Sequence, residues 1–210
     1  MTQPRRLIVG ITGASGFAYG HRLLELLREV PEVETHLVVS RSAQLTMAYE
    51  TELKLSDVTA LAHHVHRNED VAACVSSGSW RTLGMVIAPC SMKTLGEIAC
   101  GTGSTLIARA ADVVLKERRR LVLLARETPL TLTHLRNMVT VTEMGAIVAP
   151  PVPAFYARPE SLAQMVDHTL GRVLDLFDID VGAVRRWTGP QSGRSTDDIP
   201  SRDDDPHASL

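Results

Sequence analysis

The chain has few cysteines, no long apolar run and no surplus of basic charge. Its three cysteines, Cys74, Cys90 and Cys100, are odd in number and lack a CxxC spacing, which argues against a disulfide framework and against a zinc ribbon. Thr12 and Ser15 interrupt the first apolar stretch, unlike the core of a signal peptide, and no run approaches the roughly 20 apolar residues of a membrane helix. We therefore expect a protein of the reducing cytoplasm without a membrane segment.

Neither sign of charge dominates the chain. Its 22 Lys and Arg residues against 24 Asp and Glu residues give a formal net charge of -2, so no global basic surface favours nucleic acid or an anionic membrane. Residues 188–210 contain five Asp and two Arg among Gly, Pro and Ser, and this composition predicts a disordered acidic tail. Residues 1–187 are enough for one domain with a well-buried core.

Short apolar, β-branched runs alternate with helical patterns along the domain. Continuous apolarity is typical of strands covered on both faces. It predicts strands at 7–11, 36–39, 85–88, 121–124 and 146–149, with helices over 17–30, 43–50, 94–99, 105–119, 131–144 and 159–177. The repeated strand-helix-strand order predicts a single-domain α/β fold, a Rossmann/flavodoxin-like, doubly wound, mostly parallel sheet with helices on both faces.

Small, hydroxyl-rich turns follow several of these strands. The turn 13–16, Gly-Ala-Ser-Gly, ends the first strand and opens a helix, where backbone N–H groups favour an anion. It is neither a Walker A loop nor a full G-x-G-x-x-G fingerprint, which disfavours a nucleoside triphosphate and a classical dinucleotide. Ser40 and the turn 89–94 end two further strands, and the carboxyl ends of parallel strands share one edge. A phosphorylated cofactor is expected there, although each serine alone is also a typical helix N-cap.

Charged and histidine residues form two clusters, of which the first is a candidate phosphate site and the second is not expected to bind a metal. Arg126 and Glu127 end the fourth strand at the same edge, where the arginine could hold a phosphate and the carboxyl could move a proton; a surface ion pair is the alternative. His63, His64 and His66 form a cluster in what reads as a polar connecting region, without a nearby carboxylate or cysteine pair. No metal site is expected.

Five ordered segments together carry a family resemblance: GITGASG at 10–16, PCSMKTL at 89–95, RAADVVLKE at 109–117, RETPL at 126–130 and PPVPAFY at 150–156. They resemble the UbiX-type flavin prenyltransferases, including the B-subunit type of phenolic acid decarboxylases. The resemblance implies an enzyme that joins a dimethylallyl group from dimethylallyl phosphate to N5 and C6 of reduced FMN without a metal. The prenylated FMN would go to a UbiD-type decarboxylase. Monophosphate and diphosphate donors both stay open.

The same resemblance assigns roles to residues of this chain. FMN contacts fall on Gly13, Ala14, Ser15, Ser40, Ser91, Met92, Lys93, Thr94 and Arg126. The prenyl phosphate would meet Lys116, Arg126, Tyr156 and Arg172, and the catalytic set is Ser15, Glu50 and Glu127. Ser15 would relay a proton, Glu127 would protonate the leaving phosphate, and Trp80 or Trp187 could contact the prenyl group. A homo-oligomer, a dodecamer with active sites at subunit contacts, is also implied.

Two other functions are compatible with a flavin-binding α/β domain. A flavin-dependent decarboxylase of peptidyl- or pantothenoyl-cysteine shares a similar fold, but its Pro-x-Met-Asn-x-x-Met-Trp signature is missing, and PPVPAFY stands where the substrate clamp would lie. His21, the candidate for its catalytic histidine, has no supporting motif. A non-catalytic flavin-carrier subunit would not need the residues assigned to the leaving phosphate.

Overall fold

Strands and helices alternate throughout the computed structural model, which describes residues 5–186. The strands are β1 (Arg5–Ile11), β2 (Val33–Val39), β3 (His64–His66), β4 (Gly84–Cys90), β5 (Arg120–Ala125) and β6 (Ile147–Val148). They form one sheet in the order β3-β2-β1-β4-β5-β6, and every neighbouring pair is parallel. The strand order reverses between β1 and β4, which is where open α/β sheets bind their ligands. The predicted doubly wound fold is confirmed.

Helices cover both faces of this sheet. They are α1 (Phe17–Arg28), α2 (Arg41–Glu50), α3 (Leu55–Thr59), α4 (Met92–Ala99), α5 (Leu106–Lys116), α6 (Leu132–Glu143) and α7 (Leu162–Asp175). Successive residues of a strand point to opposite faces; Leu7 and Val9 therefore join one apolar cluster, with α1 and α7, while Ile8 joins the other, with α4 and α5. Because alternate residues of one strand enter the two clusters, consecutive residues must all be apolar, which explains the continuous apolar runs. Among residues 5–186 no helix is long and apolar enough to cross a membrane.

The structure corrects four details of the sequence prediction. The polar connection expected around His64 and His66 is wrong, because these residues form the edge strand β3, paired with β2. The short helix α3 was not predicted. Strand β4 continues through Cys90, so the second turn begins at Ser91. The last helix begins at Leu162, with Ser161 as its N-cap. Trp187 and the predicted tail at 188–210 lie outside the described residues.

Candidate functional site

Thr12 joins the ends of β1 and β4 at the reversal of strand order. Its buried hydroxyl donates to the carbonyl of Pro89 at 2.8 Å and accepts from the amide of Ser91 at 2.8 Å. The Thr12 amide donates to the same Pro89 carbonyl at 3.2 Å. The residue just before the glycine turn and the first residue after β4 are therefore fixed relative to each other.

The ends of β2 and β5 join the same edge through backbone hydrogen bonds. The Ser40 amide donates to the carbonyl of Ile11 at 3.0 Å, and the Arg126 amide donates to the carbonyl of Cys90 at 3.2 Å. The four segments predicted to hold the cofactor, after β1, β2, β4 and β5, thus form one continuous edge. This confirms the geometric part of the prediction.

The two glycines of the 13–16 turn are each required by the local geometry. A Cβ atom on Gly13 would lie 2.4 Å from the Cβ of Ser42 at the start of α2, so no side chain fits. Gly16 has φ of +100°, in the left-handed region that strains other residues. The turn therefore presents bare backbone to a ligand at the start of α1.

Both serines at the other strand ends act as helix N-caps. The Ser40 hydroxyl accepts from the Ala43 amide at 3.1 Å, and the Ser91 hydroxyl accepts from the Thr94 amide at 3.3 Å. Helices α1, α2 and α4 consequently begin at one edge, where their free N–H groups and dipoles favour an anion. The cap interpretation and the cofactor interpretation of these serines are compatible. Lys93, largely exposed in the first turn of α4, pairs with Glu97 at 3.6 Å.

Glu50, the last residue of α2, reaches across to the glycine turn. Its carboxylate accepts from the Gly16 amide at 3.1 and 3.0 Å and from the Phe17 amide at 2.9 Å, and the Ser15 side chain also hydrogen-bonds to it. Burial acts to raise its pKa, but these hydrogen bonds and the positive charge of Arg126 outweigh burial, so the pKa of Glu50 is lowered. Two of the predicted catalytic residues, Ser15 and Glu50, are therefore in direct contact, and Glu50 is ionised.

Arg126 lies close enough to α1 and α2 to act electrostatically on a residue of each. Its charge acts on Glu50 and also on Tyr19, a half-buried residue in the first turn of α1 whose pKa is raised by burial and partly lowered again by Arg126. Within residues 5–186 no carboxylate forms an ion pair with the Arg126 guanidinium, so the alternative interpretation, a surface ion pair with Glu127, is not formed there. The Glu127 carboxylate instead accepts from the Thr128 amide at 3.0 Å. Tyr19 was missed by the sequence analysis, although an aromatic residue just after a glycine turn is a usable signal.

Lys116 lies on the side of the amino ends of the strands, whereas Arg126 lies at their carboxyl ends. It ends α5, which leads into the start of β5, whereas Arg126 follows the end of β5. At about 3.3 Å per residue, the strand between them spans roughly 20 Å. The Lys116 ammonium pairs with Glu117 at 2.6 Å beside Gly78. Lys116 and Arg126 therefore do not meet within one chain, because the length of β5 separates them.

Trp80, the described tryptophan among the prenyl candidates, also lies away from the glycine turn. Its ring meets His36 of β2 edge-on, with centroids 4.6 Å apart, and the Arg6 guanidinium stacks over it at 5.2 Å. Arg119 donates to its carbonyl at 2.7 Å. Trp80 is therefore on the same side of the sheet as Lys116, that of the amino ends of the strands.

Tyr156 and Arg172 are both associated with α7. The Tyr156 hydroxyl is 3.5 Å from Nε2 of His168, in the middle of that helix. Arg172 lies in its last turn and pairs with Asp175 at 2.8 Å. The chain just beyond α7 is tied to the start of β1, where Arg5 donates to the Phe177 carbonyl at 2.9 Å. Arg172 is therefore on the side of the amino ends of the strands, away from the glycine turn of its own chain.

Comparison with known proteins agrees with this geometry. A family model described as Flavoprotein matches residues 1–181. The probable UbiX-like flavin prenyltransferase of Streptomyces sp. (strain D7) is 55% identical over 190 residues, which covers 90% of this chain and 95% of that protein. The crystal structure of AnUbiX (PadA1) in complex with FMN and dimethylallyl pyrophosphate has a TM-score of 0.88 at 53% identity and covers 90% of this chain and 100% of that one.

A second solved structure is similar, and a more distant one shares only the fold. The dodecameric FMN-dependent UbiX-like decarboxylase from Escherichia coli O157:H7 has a TM-score of 0.86 at 52% identity, covering 88% of this chain and 100% of that one. A PPC decarboxylase mutant reaches a TM-score of 0.58 at 18% identity over 72% of this chain and 84% of its own, which shows the fold alone. Identity above one half over nine-tenths of its length shows that the chain belongs to the UbiX-type flavin prenyltransferases.

Proposed function

We propose that this chain transfers the dimethylallyl group of dimethylallyl phosphate to N5 and C6 of reduced FMN. The observation that carries the proposal is the contact between Ser15 and the ionised Glu50 at an edge where three helices begin, with an arginine facing it. Prenylated FMN is the product, and a UbiD-type decarboxylase is its user. Reduced FMN supplies the two nucleophilic ring atoms, and the chain supplies binding, orientation and proton transfer.

The residues at the carboxyl edge fit a flavin phosphate and ring system. Gly13 and Ala14 offer backbone that a ligand can approach closely, since no side chain fits at position 13. Ser40 and the segment from Ser91 to Thr94, which includes Met92 and Lys93, begin helices whose N–H groups and dipoles favour the phosphate. We assign these residues to FMN binding.

Proton transfer at this edge falls to Ser15 and Glu50. Because Glu50 is ionised and accepts from Ser15, the serine hydroxyl can pass a proton to the carboxylate while taking one from the flavin ring. Arg126, unpaired within the described residues, stabilises the negative charge that grows on the leaving phosphate. Glu127, the next residue, is assigned the protonation of that phosphate.

Two of the residues assigned to the prenyl phosphate, Lys116 and Arg172, lie away from the glycine turn of their own chain. Both are exposed cations on the side of the amino ends of the strands. We propose that neighbouring copies bring them to Arg126 in a homo-oligomer. The dodecameric state of the similar E. coli structure supports a dodecamer here.

Residues 1–187 form the catalytic unit in this proposal, and the acidic segment 188–210 stands outside it. The cysteines at 74, 90 and 100 are unpaired, which supports a reducing, cytoplasmic location.

An anaerobic assay tests the proposed reaction. Purified chain is incubated with reduced FMN and dimethylallyl phosphate, in parallel with the diphosphate, and the extracted flavin is analysed by mass spectrometry. We expect a flavin with an added five-carbon unit for wild type, its loss in R126M, and its retention in R136M, in which an exposed arginine of α6 is removed. FMN returned unmodified by the wild-type protein with both donors contradicts the proposal.

A further inference from the structure

Four ionisable side chains share one face of the sheet at the β2–β3 edge. The register pairs His36 with His64 and, two positions further along, Val38 with His66. Since alternate residues of a strand share a face, Glu34 and His36 of β2 project beside His64 and His66 of β3. We call Glu34, His36 and His64 the β2–β3 triad. Sequence spacing did not reveal it, because its members come from two strands separated by about 30 residues.

The centre of this group is a buried imidazole with one unsatisfied nitrogen. His36 is 4% exposed, and its Nδ1 lies 3.0 Å from Nε2 of His66. Its Nε2 is buried and has no hydrogen-bond partner. Buried polar atoms are nearly always satisfied, so an orphaned ring nitrogen calls for a ligand. This Nε2 is 3.5 Å from Oε1 of Glu34, which in turn is 2.6 Å from Nε2 of His64.

The surroundings hold these three atoms in place. Arg6 pairs through Nε with the other oxygen of Glu34, Oε2, at 3.3 Å, and its guanidinium is itself stacked on Trp80. This arrangement leaves Oε1 of Glu34 directed at the two imidazoles. The His36 Nδ1–H can donate to His66, which selects the tautomer with a free lone pair on Nε2. Metal-binding histidines almost always donate their second ring N–H to a carboxylate, a backbone carbonyl or water, and here His66 is the acceptor.

We propose that Oε1 of Glu34, Nε2 of His36 and Nε2 of His64 bind a divalent transition-metal ion such as Zn²⁺, with water as the fourth ligand. Bonds of 2.0–2.2 Å in a tetrahedral site separate ligand atoms by about 3.4 Å. The Glu34–His36 separation of 3.5 Å already fits, and the Glu34–His64 separation of 2.6 Å has only to lengthen as the metal replaces a shared proton. All three ligand atoms lie within 4.8 Å of one another.

The proposed metal site lies away from the glycine turn. Glu34 and Arg6 lie at the starts of β2 and β1, whereas the glycine turn follows the end of β1. The ion is therefore separate from the flavin edge of its own chain, and it would cross-link the short edge strand β3 to β2.

A second ligand set shares His36 and is less favourable. His36, His66 and Cys74 also place ligand atoms within 4.8 Å of one another. It would use Nδ1 of His36, which already has a partner in His66, and would leave Nε2 buried and orphaned. The triad satisfies both nitrogens of His36 at once, which decides between the two sets.

Zinc titration of the full-length, tag-free protein tests the site. Calorimetry with Zn²⁺ alone is expected to give one ion per chain for wild type, and zinc should raise its melting temperature because it binds the folded state. H64N removes a half-exposed ligand and should weaken zinc binding by more than about tenfold, the lower end of what losing even an outer partner costs. It should also abolish the rise in melting temperature.

Two control variants separate this site from its rivals. C74S and H134N, which remove the competing thiol and a partly buried histidine in the first turn of α6, are expected to bind zinc as wild type does. The proposal is overturned if wild type binds no zinc at one ion per chain, if H64N binds as tightly as wild type, or if C74S loses affinity. The last result would place the ion on His36, His66 and Cys74 instead.

Discussion

Replacing Glu50 by Gln tests how the glycine turn is held. The carboxylate accepts hydrogen bonds from two backbone amides at the start of α1 and from the Ser15 hydroxyl. A charge at a helix N-terminus is worth about 0.3–1 kcal/mol, and a hydrogen bond to a charged group about 1.5–3 kcal/mol. Glutamine keeps one acceptor oxygen, and the carboxylate is partly exposed to solvent, which screens its charge. We expect E50Q to lower the free energy of unfolding by about 1–2 kcal/mol near pH 7.

Urea denaturation at fixed protein concentration measures this difference, and its pH dependence tests the cause. The folded-state pKa of Glu50 is lowered, so its stabilising effect is present above the unfolded pKa, near 4.5, and is lost as pH falls toward the folded value. The gap between wild type and E50Q should therefore shrink below about pH 4.5. E52Q, which changes an exposed neighbour, is the matched control. Equal stability of E50Q and E52Q at pH 7 would refute the reasoning.

Three further outcomes follow from the packing and the topology. G13A should lower FMN affinity and stability because its Cβ would lie 2.4 Å from the Cβ of Ser42; flavin fluorescence titration equal to that of wild type contradicts this. Mixed oligomers of K116A and R126A subunits should recover about a quarter of wild-type prenylation if neighbouring copies complete each site, whereas residues acting within one chain would give no recovery. L174A should cost about 2–5 kcal/mol in urea denaturation, since Leu174 is fully buried under the sheet; a loss below 1 kcal/mol would contradict its place in the core.

The fold was largely readable from local pattern. Five of the six strands contain an apolar run because helices cover the two faces of the sheet, and this burial leaves a direct trace in the sequence. Strand β3 leaves no such trace: it is three residues long, stands at the edge and is made of His-Val-His. Its pairing with β2 depends on the neighbouring strand, which no local pattern encodes.

The sequence by itself determined the chemistry of the glycine turn and the residue types of the site. Ser15, Ser40, Ser91 and Arg126 follow strands, and parallel topology brings strand ends to one edge. Only the tertiary structure decided which groups meet. It brings Glu50 into contact with the glycine turn and places Lys116 on the side of the amino ends of the strands. It also brings histidines of two strands together around one buried nitrogen. The physical reason is that the spacing of residues along the chain determines which side chains lie on one face of a helix or strand. The packing of helices and the register of strands determine which residues of other elements those side chains contact.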